Sequence, residues 1–152
     1  MMIKRGREAF TMIELIFIIV IIGLLASAAI PKLAATRDDA HITTIAHEVM
    51  TSAWEVASYA TAKGETASTI SAMSNAARSL IDNENATESG TTLKVKAIDV
   101  ADCVELKIEN QGSNTETLKI MFPGSGGHCD TLQSLIDAST FPMPLRGTLI
   151  SL

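Results

Sequence analysis

The sequence predicts an α+β protein, with one long N-terminal helix packed on a small, mainly antiparallel β-sheet head. Three observations predict it. Residues 10–30, FTMIELIFIIVIIGLLASAAI, carry a single charge, Glu14. Past Pro31, apolar residues return mostly at steps of three and four, at Leu33, Ile42, Ile45, Val49, Ala53, Val56 and Ala60, the spacing of one helix face. Beyond residue 90 the pattern changes to the alternation of half-buried strands.

Composition sets the outer bounds. The 152 residues suit one compact domain plus an appendage, and 47% hydrophobic against 19% charged residues excludes wholesale disorder. The net charge of −5 offers no overall basic field, which argues against direct nucleic-acid binding. Two cysteines are too few for a four-thiolate zinc site or a disulfide-built miniprotein.

As a helix, the apolar stretch is about 31 Å long, close to the ~30 Å hydrocarbon core of a bilayer. The preceding MMIKRGREA carries Lys4, Arg5 and Arg7 against Glu8, whereas residues 32–152 carry 9 basic and 15 acidic side chains. Basic flanks stay in the cytoplasm, so the rest of the chain is expected outside the membrane, in an oxidising compartment. Three readings of the first thirty residues compete. One is a secretory signal peptide cut at Ala26-Ser27-Ala28, which would release the head as a periplasmic domain. Another is a plain anchor for an interaction protein that never polymerises. Neither accounts for Glu14, a carboxylate costing about 2.5–3.5 kcal/mol inside a membrane span. The third is a specialised segment in which Glu14 has a role.

The remaining elements follow in order. The helical pattern of 32–64 forms an amphipathic stem, which Gly64 ends, so that residues 10–62 read as one long, bent helix. Met50 and Trp54 are placed in the core. A second helix is predicted over 67–81, with Ile70, Met73, Ala77, Leu80 and Ile81 on one face, and a loop over Asn83–Gly90. Three strands are predicted at Thr92–Ile98, Val104–Glu109 and Thr117–Phe122, separated by hairpin-like loops QGSN and PGSGG. A short helix is expected at 131–138, capped by Asp130 with Gln133 in the capping-box position. Phe141-Pro142-Met143-Pro144 reads as irregular, and Arg146–Leu152 as a last strand.

The block KRGREA-FTMIELIFIIVIIGLLASAAIP resembles the start of a type IV prepilin, a signature shared by pilins and by the pseudopilins of type II secretion and competence systems. The match rests on the basic leader, Phe10, Thr11, Glu14 at the fifth mature position, Gly23 and Pro31. It covers about 22 residues of the chain. Such leaders usually end in Gly, and here Ala9 takes that place; a cut after Gly6 would put Glu14 eighth instead of fifth. The resemblance implies cleavage between Ala9 and Phe10 by a prepilin peptidase, N-methylation of Phe10, and pairing of Glu14 with the Phe10 amine of a neighbouring subunit; the alternative for Glu14 is that it snorkels towards the headgroups from one turn deep. It also implies loosening of residues 23–31 within a filament; the alternative is that Gly23 and Pro31 have no such consequence. Residues 1–9 would then be the leader, 10–31 the transmembrane and filament-core helix, 32–64 the stem and 65–152 a pilin-like head. Implied partners are the peptidase, further copies and related subunits, an inner-membrane assembly platform and the bilayer. The implied location is the inner membrane, single-pass with a cytoplasmic N-terminus and a periplasmic head, and then a filament in the periplasm or at the cell surface.

Cys103 and Cys129, both placed outside by this topology, are expected to form a disulfide, which resembles the loop-closing bridge of many pilins. The alternative is two reduced, buried thiols. No catalytic constellation emerges. His47-Glu48 lacks the second helical His of a zinc protease motif, since position 51 is Thr, and His41 lies on another helix face. His128 reads as a solvated side chain, as do Asp38-Asp39, Asp99 and Asp102. Asn85-Ala86-Thr87 fits a minimal glycosylation sequon. The stretch 124–140 lacks a run dense enough for calcium. Neither a metal nor a cofactor is predicted, and the chain reads as a structural protein.

Overall fold

The computed structural model describes residues 11–146. The predicted leader, the Ala9–Phe10 junction and residues 147–152 of the predicted last strand lie outside them. The chain divides into two units, one ending at Asp38 and the other beginning at Asp39. Helix α1 spans Met12–Lys63.

In the first unit the described residues are helical from Met12 onward, and the large apolar side chains are exposed. Leu33, predicted to join the buried stripe, belongs with them at 69% exposed. The stripe begins at Ile42, in the second unit.

There, Ile42, Ile45, Val49, Ala53, Val56 and Ala60 of α1 are buried together with Leu93, Val95, Leu106, Ile108 and Leu118 of the sheet. The helix packs on the sheet because its three- and four-residue spacing meets the two-residue alternation of the strands. Gly64 ends the helix as predicted. Its φ of +74° is the left-handed turn that glycine adopts freely, and its N–H reaches the Ala60 carbonyl at 2.8 Å. Trp54 departs from expectation: it is 51% exposed, because it falls on the face of α1 opposite the buried stripe.

The sheet has five strands in the order β1 (Ala86–Ser89), β2 (Thr92–Ala97), β3 (Val100–Glu109), β4 (Thr117–Met121) and β5 (Met143–Pro144). Every neighbour pair is antiparallel. The three predicted strands are β2, β3 and β4. β1 lies where a loop was expected, because pairing with β2 recruits the polar sequence Ala86–Ser89 and buries Ala86. β5 lies in the stretch expected to be irregular; Pro144 is tolerated there because β5 is the sheet edge. QGSN joins β3 to β4, whereas PGSGG leads from β4 into a helix and is not a hairpin.

Helix α2 (Asn75–Asp82) starts later than predicted. Ser74 caps it, accepting from Ala77 N at 2.9 Å. The Glu55 carboxylate of α1 takes the Ser74 hydroxyl at 2.6 Å and the Ala76 N–H at 3.0 Å. The Ser74 hydroxyl, more than the backbone N–H groups of Ala76 and Asn75, holds Glu55 below the usual carboxylate range, against the opposing effect of burial. Helix α3 (His128–Ser134) starts three residues before the expected position. Gly127 stands at its cap, and Asp130 instead accepts from Gly126 N at 2.7 Å.

One buried charge ties three segments together. Glu116 is 1% exposed and accepts from the Thr66 hydroxyl, from Gly112 N at 3.3 Å and from Arg146 Nε at 2.7 Å. Arg146→Ala leaves that carboxylate without its cation. The expected loss is about 2–3 kcal/mol of head stability, read as a lower urea midpoint at unchanged slope.

Candidate functional site

The candidate site is the start of α1, where a lone carboxylate opens an apolar helix. Thr11 precedes the first helical residue and Glu14 is the third. The Thr11 hydroxyl accepts from Glu14 N at 3.3 Å, while Glu14 Oε2 accepts from Thr11 N at 3.2 Å and from the Thr11 hydroxyl at 3.1 Å. This is a reciprocal capping box, which satisfies orphan N–H groups of the first turn. The pattern Thr-x-x-Glu at Thr11–Glu14 is the sequence signature of such a cap, beside the pairing role that the resemblance implies for Glu14. The negative charge also suits the positive end of the helix dipole.

Both Thr11 bonds go to Oε2, so Oε1 has no partner among the described residues and can accept from a further donor. Phe10, the predicted donor in a neighbouring copy, lies outside the described residues.

The helix beyond it is long and apolar enough to cross a membrane. Among the described residues its large apolar side chains find no cover: Phe17 is 66% exposed and Leu24 67%. α1 continues through Gly23 and Pro31, the positions expected to loosen in a filament. A Cβ at Gly23 would meet nothing within 4 Å, so a neighbouring helix has room to approach there.

The other predicted positions lie elsewhere. Cys103 and Cys129 form a disulfide joining β3 to α3, and both are fully buried. Gln133, expected to cap α3, instead donates from Nε2 to the carbonyls of Cys103 at 3.0 Å and Gly124 at 2.8 Å. Gly124 is glycine by necessity, since a Cβ would come within 2.9 Å of Cys103 Cα.

His128, expected to be solvated, pairs through Nδ1 with Asp99 at 3.0 Å, a hydrogen bond that lowers the Asp99 pKa. Asp102, also expected to be solvated, pairs with Lys94 at 3.0 Å. His41 and His47 are exposed on α1. Asn85 N donates to the Leu80 carbonyl, and Asn85 O accepts from Lys96 N, at the entry to β1. Among the described residues no three His, Cys, Asp or Glu side chains gather as a metal site. Comparison with protein-family models, curated proteins and solved structures gives no match for the chain.

Proposed function

We propose that the chain is the structural subunit of a filament like a type IV pilus or a type II secretion pseudopilus. In this reading residues 10–31 hold it in the inner membrane, a prepilin peptidase removes residues 1–9, and Phe10 is N-methylated. An assembly platform then draws subunits together through their apolar helices. The reading extends to filaments used for adhesion and motility, secretion or DNA uptake alike.

One observation carries it: a helix whose large apolar side chains are exposed, opened by a single capped carboxylate, on a chain whose second unit has its own core. Lipid covers such a helix before assembly, and like helices cover it afterwards. Cleavage converts the neutral Phe10 amide to a cation, and methylation keeps the charge. Glu14 of the next subunit then has a partner for Oε1. A charge in an apolar medium is tolerated when paired and hydrogen-bonded, which makes correct axial register the only favourable one.

Mass spectrometry of the purified chain tests this. The expected N-terminus is Phe10 bearing one methyl group, in material that electron microscopy shows as filaments. A start at Ala29 supports secretion instead. Filaments built from chains that keep Met1 overturn the proposal.

A further inference from the structure

Among the described residues, Trp54 is the one large apolar side chain that α1 leaves exposed past Asp38. It is also the only tryptophan of the chain. Two hollows flank it. The one between α1 and the start of α2 is lined by Glu55, Ser74 and Asn75 and is polar. The other is a groove of about 500 Å³ between α1 and the edge of the sheet, lined by Trp54, Ala57 and Thr61 of α1 and by Met143 and Pro144 of β5. No charged side chain lines it. The α1 residues recur at three and four, so they form a continuous strip along the helix.

β5 is the sheet edge, and Pro142 and Pro144 have no N–H to offer a further strand. What the groove presents is side-chain surface, and its complement is a short, uncharged, apolar segment. The chain carries one beside it. Residues 147–152, GTLISL, which lie outside the described residues, include Leu149, Ile150 and Leu152 and no charge. The point from which they leave is fixed. Leu145 is buried with its N–H on the Glu116 carbonyl at 3.0 Å, and Arg146 Nε reaches the Glu116 carboxylate at 2.7 Å. The same carboxylate accepts from the Thr66 hydroxyl, three residues past the end of α1 at Lys63. The segment therefore starts beside the C-terminal end of α1, at the Thr61 end of the groove. From Thr61 back to Trp54 is about 10 Å of helix, and six extended residues reach at most about 20 Å.

We propose that residues 147–152 turn back along α1 and fill this groove, laying their apolar side chains on the Trp54 indole. The contact lies within one chain and does not depend on the filament reading. Removal of apolar surface from water drives it, and the absence of charge on both sides means that no desolvation of an ion opposes it.

The test uses the full chain in dodecyl maltoside micelles, where tryptophan fluorescence reports on Trp54 alone. Removal of residues 147–152 is expected to shift the emission to longer wavelength and to raise acrylamide quenching about twofold as the indole loses its apolar cover, with far-UV circular dichroism unchanged. Ile150→Asp keeps the chain length and is expected to move both readings in the same direction, which keeps the test open if the shortened chain fails to fold. Dilution of the unaltered chain at constant detergent is expected to change neither reading. Emission and quenching that neither variant moves overturn the proposal. So do readings that move on dilution, because the cover is then a second copy. Movement seen only together with lost circular dichroism overturns it as well, since the segment then supports the fold instead of covering Trp54.

Discussion

Glu14→Ala is expected to leave membrane insertion and cleavage intact while cutting incorporation into filaments at least tenfold. The direction is opposite to what a merely costly carboxylate would give. Removing Glu14 makes the segment more apolar, by less than the about 2.5–3.5 kcal/mol that a charge costs at the centre of a span because Glu14 lies in the first turn, so the altered chain should enter the bilayer better than the original. An assembly defect would then arise after insertion, when the Phe10 ammonium of one subunit lacks its acid in the next. A tenfold loss corresponds to about 1.4 kcal/mol, well within what an unpaired charge in an apolar contact costs. The capping box supplies a rival cause, since the same change removes the two bonds that Thr11 donates to the Glu14 carboxylate and about 1 kcal/mol of helix-end stability. Glu14→Gln separates the two. Its carbonyl oxygen still accepts from Thr11 but carries no charge. If charge pairing sets register, Gln assembles as poorly as Ala; pelleted filaments scored against total processed chain check this. Wild-type yield with Gln would reduce Glu14 to a cap.

What the sequence disclosed of the fold follows from how far apart the deciding residues lie. β2, β3 and β4 were legible because each alternates within its own few residues, as Val104, Leu106 and Ile108 do against Glu105, Lys107 and Glu109. The buried face of α1 was legible from its spacing, but its start was not: Leu33 has the right residue type and is exposed, since the core begins only at Ile42. β1 has no alternation worth reading and exists through its pairing with β2. α2 was placed too early because its start is set by Glu55, nineteen positions before Ser74. The role of Glu116 is not legible for the same reason, its partners Thr66 and Arg146 being fifty and thirty residues away. At the candidate site the cap and the membrane-length helix are both legible, because both depend only on neighbours in sequence.

Replacing Cys103 and Cys129 together by Ala is expected to cost about 3.5 kcal/mol, the chain-entropy value for a bridge whose half-cystines are 26 apart. For a head of this size that corresponds to a fall of roughly 15–25 °C in melting temperature. The loop it closes includes β4 and the entry to α3, so the unfolded chain gains most of its freedom where the sheet meets its last helix. The head has little to offset this, because aromatic residues are only 4% of the sequence and Trp54 is half exposed. Alanine is preferred to serine for the double variant, since a buried hydroxyl beside the Gln133 amide would add a polar contact of its own. Single replacement, Cys103→Ser, leaves Cys129 as a free thiol; on non-reducing electrophoresis it should migrate as the reduced wild type does. The folded bridge is fully buried, with Gln133 and Gly124 against it, so reductant should act on the native head slowly and on the thermally unfolded head fast. Wild type melted in reductant should therefore approach the double variant's curve. A double variant melting within a few degrees of wild type would mean that the core alone holds β3 and α3 together.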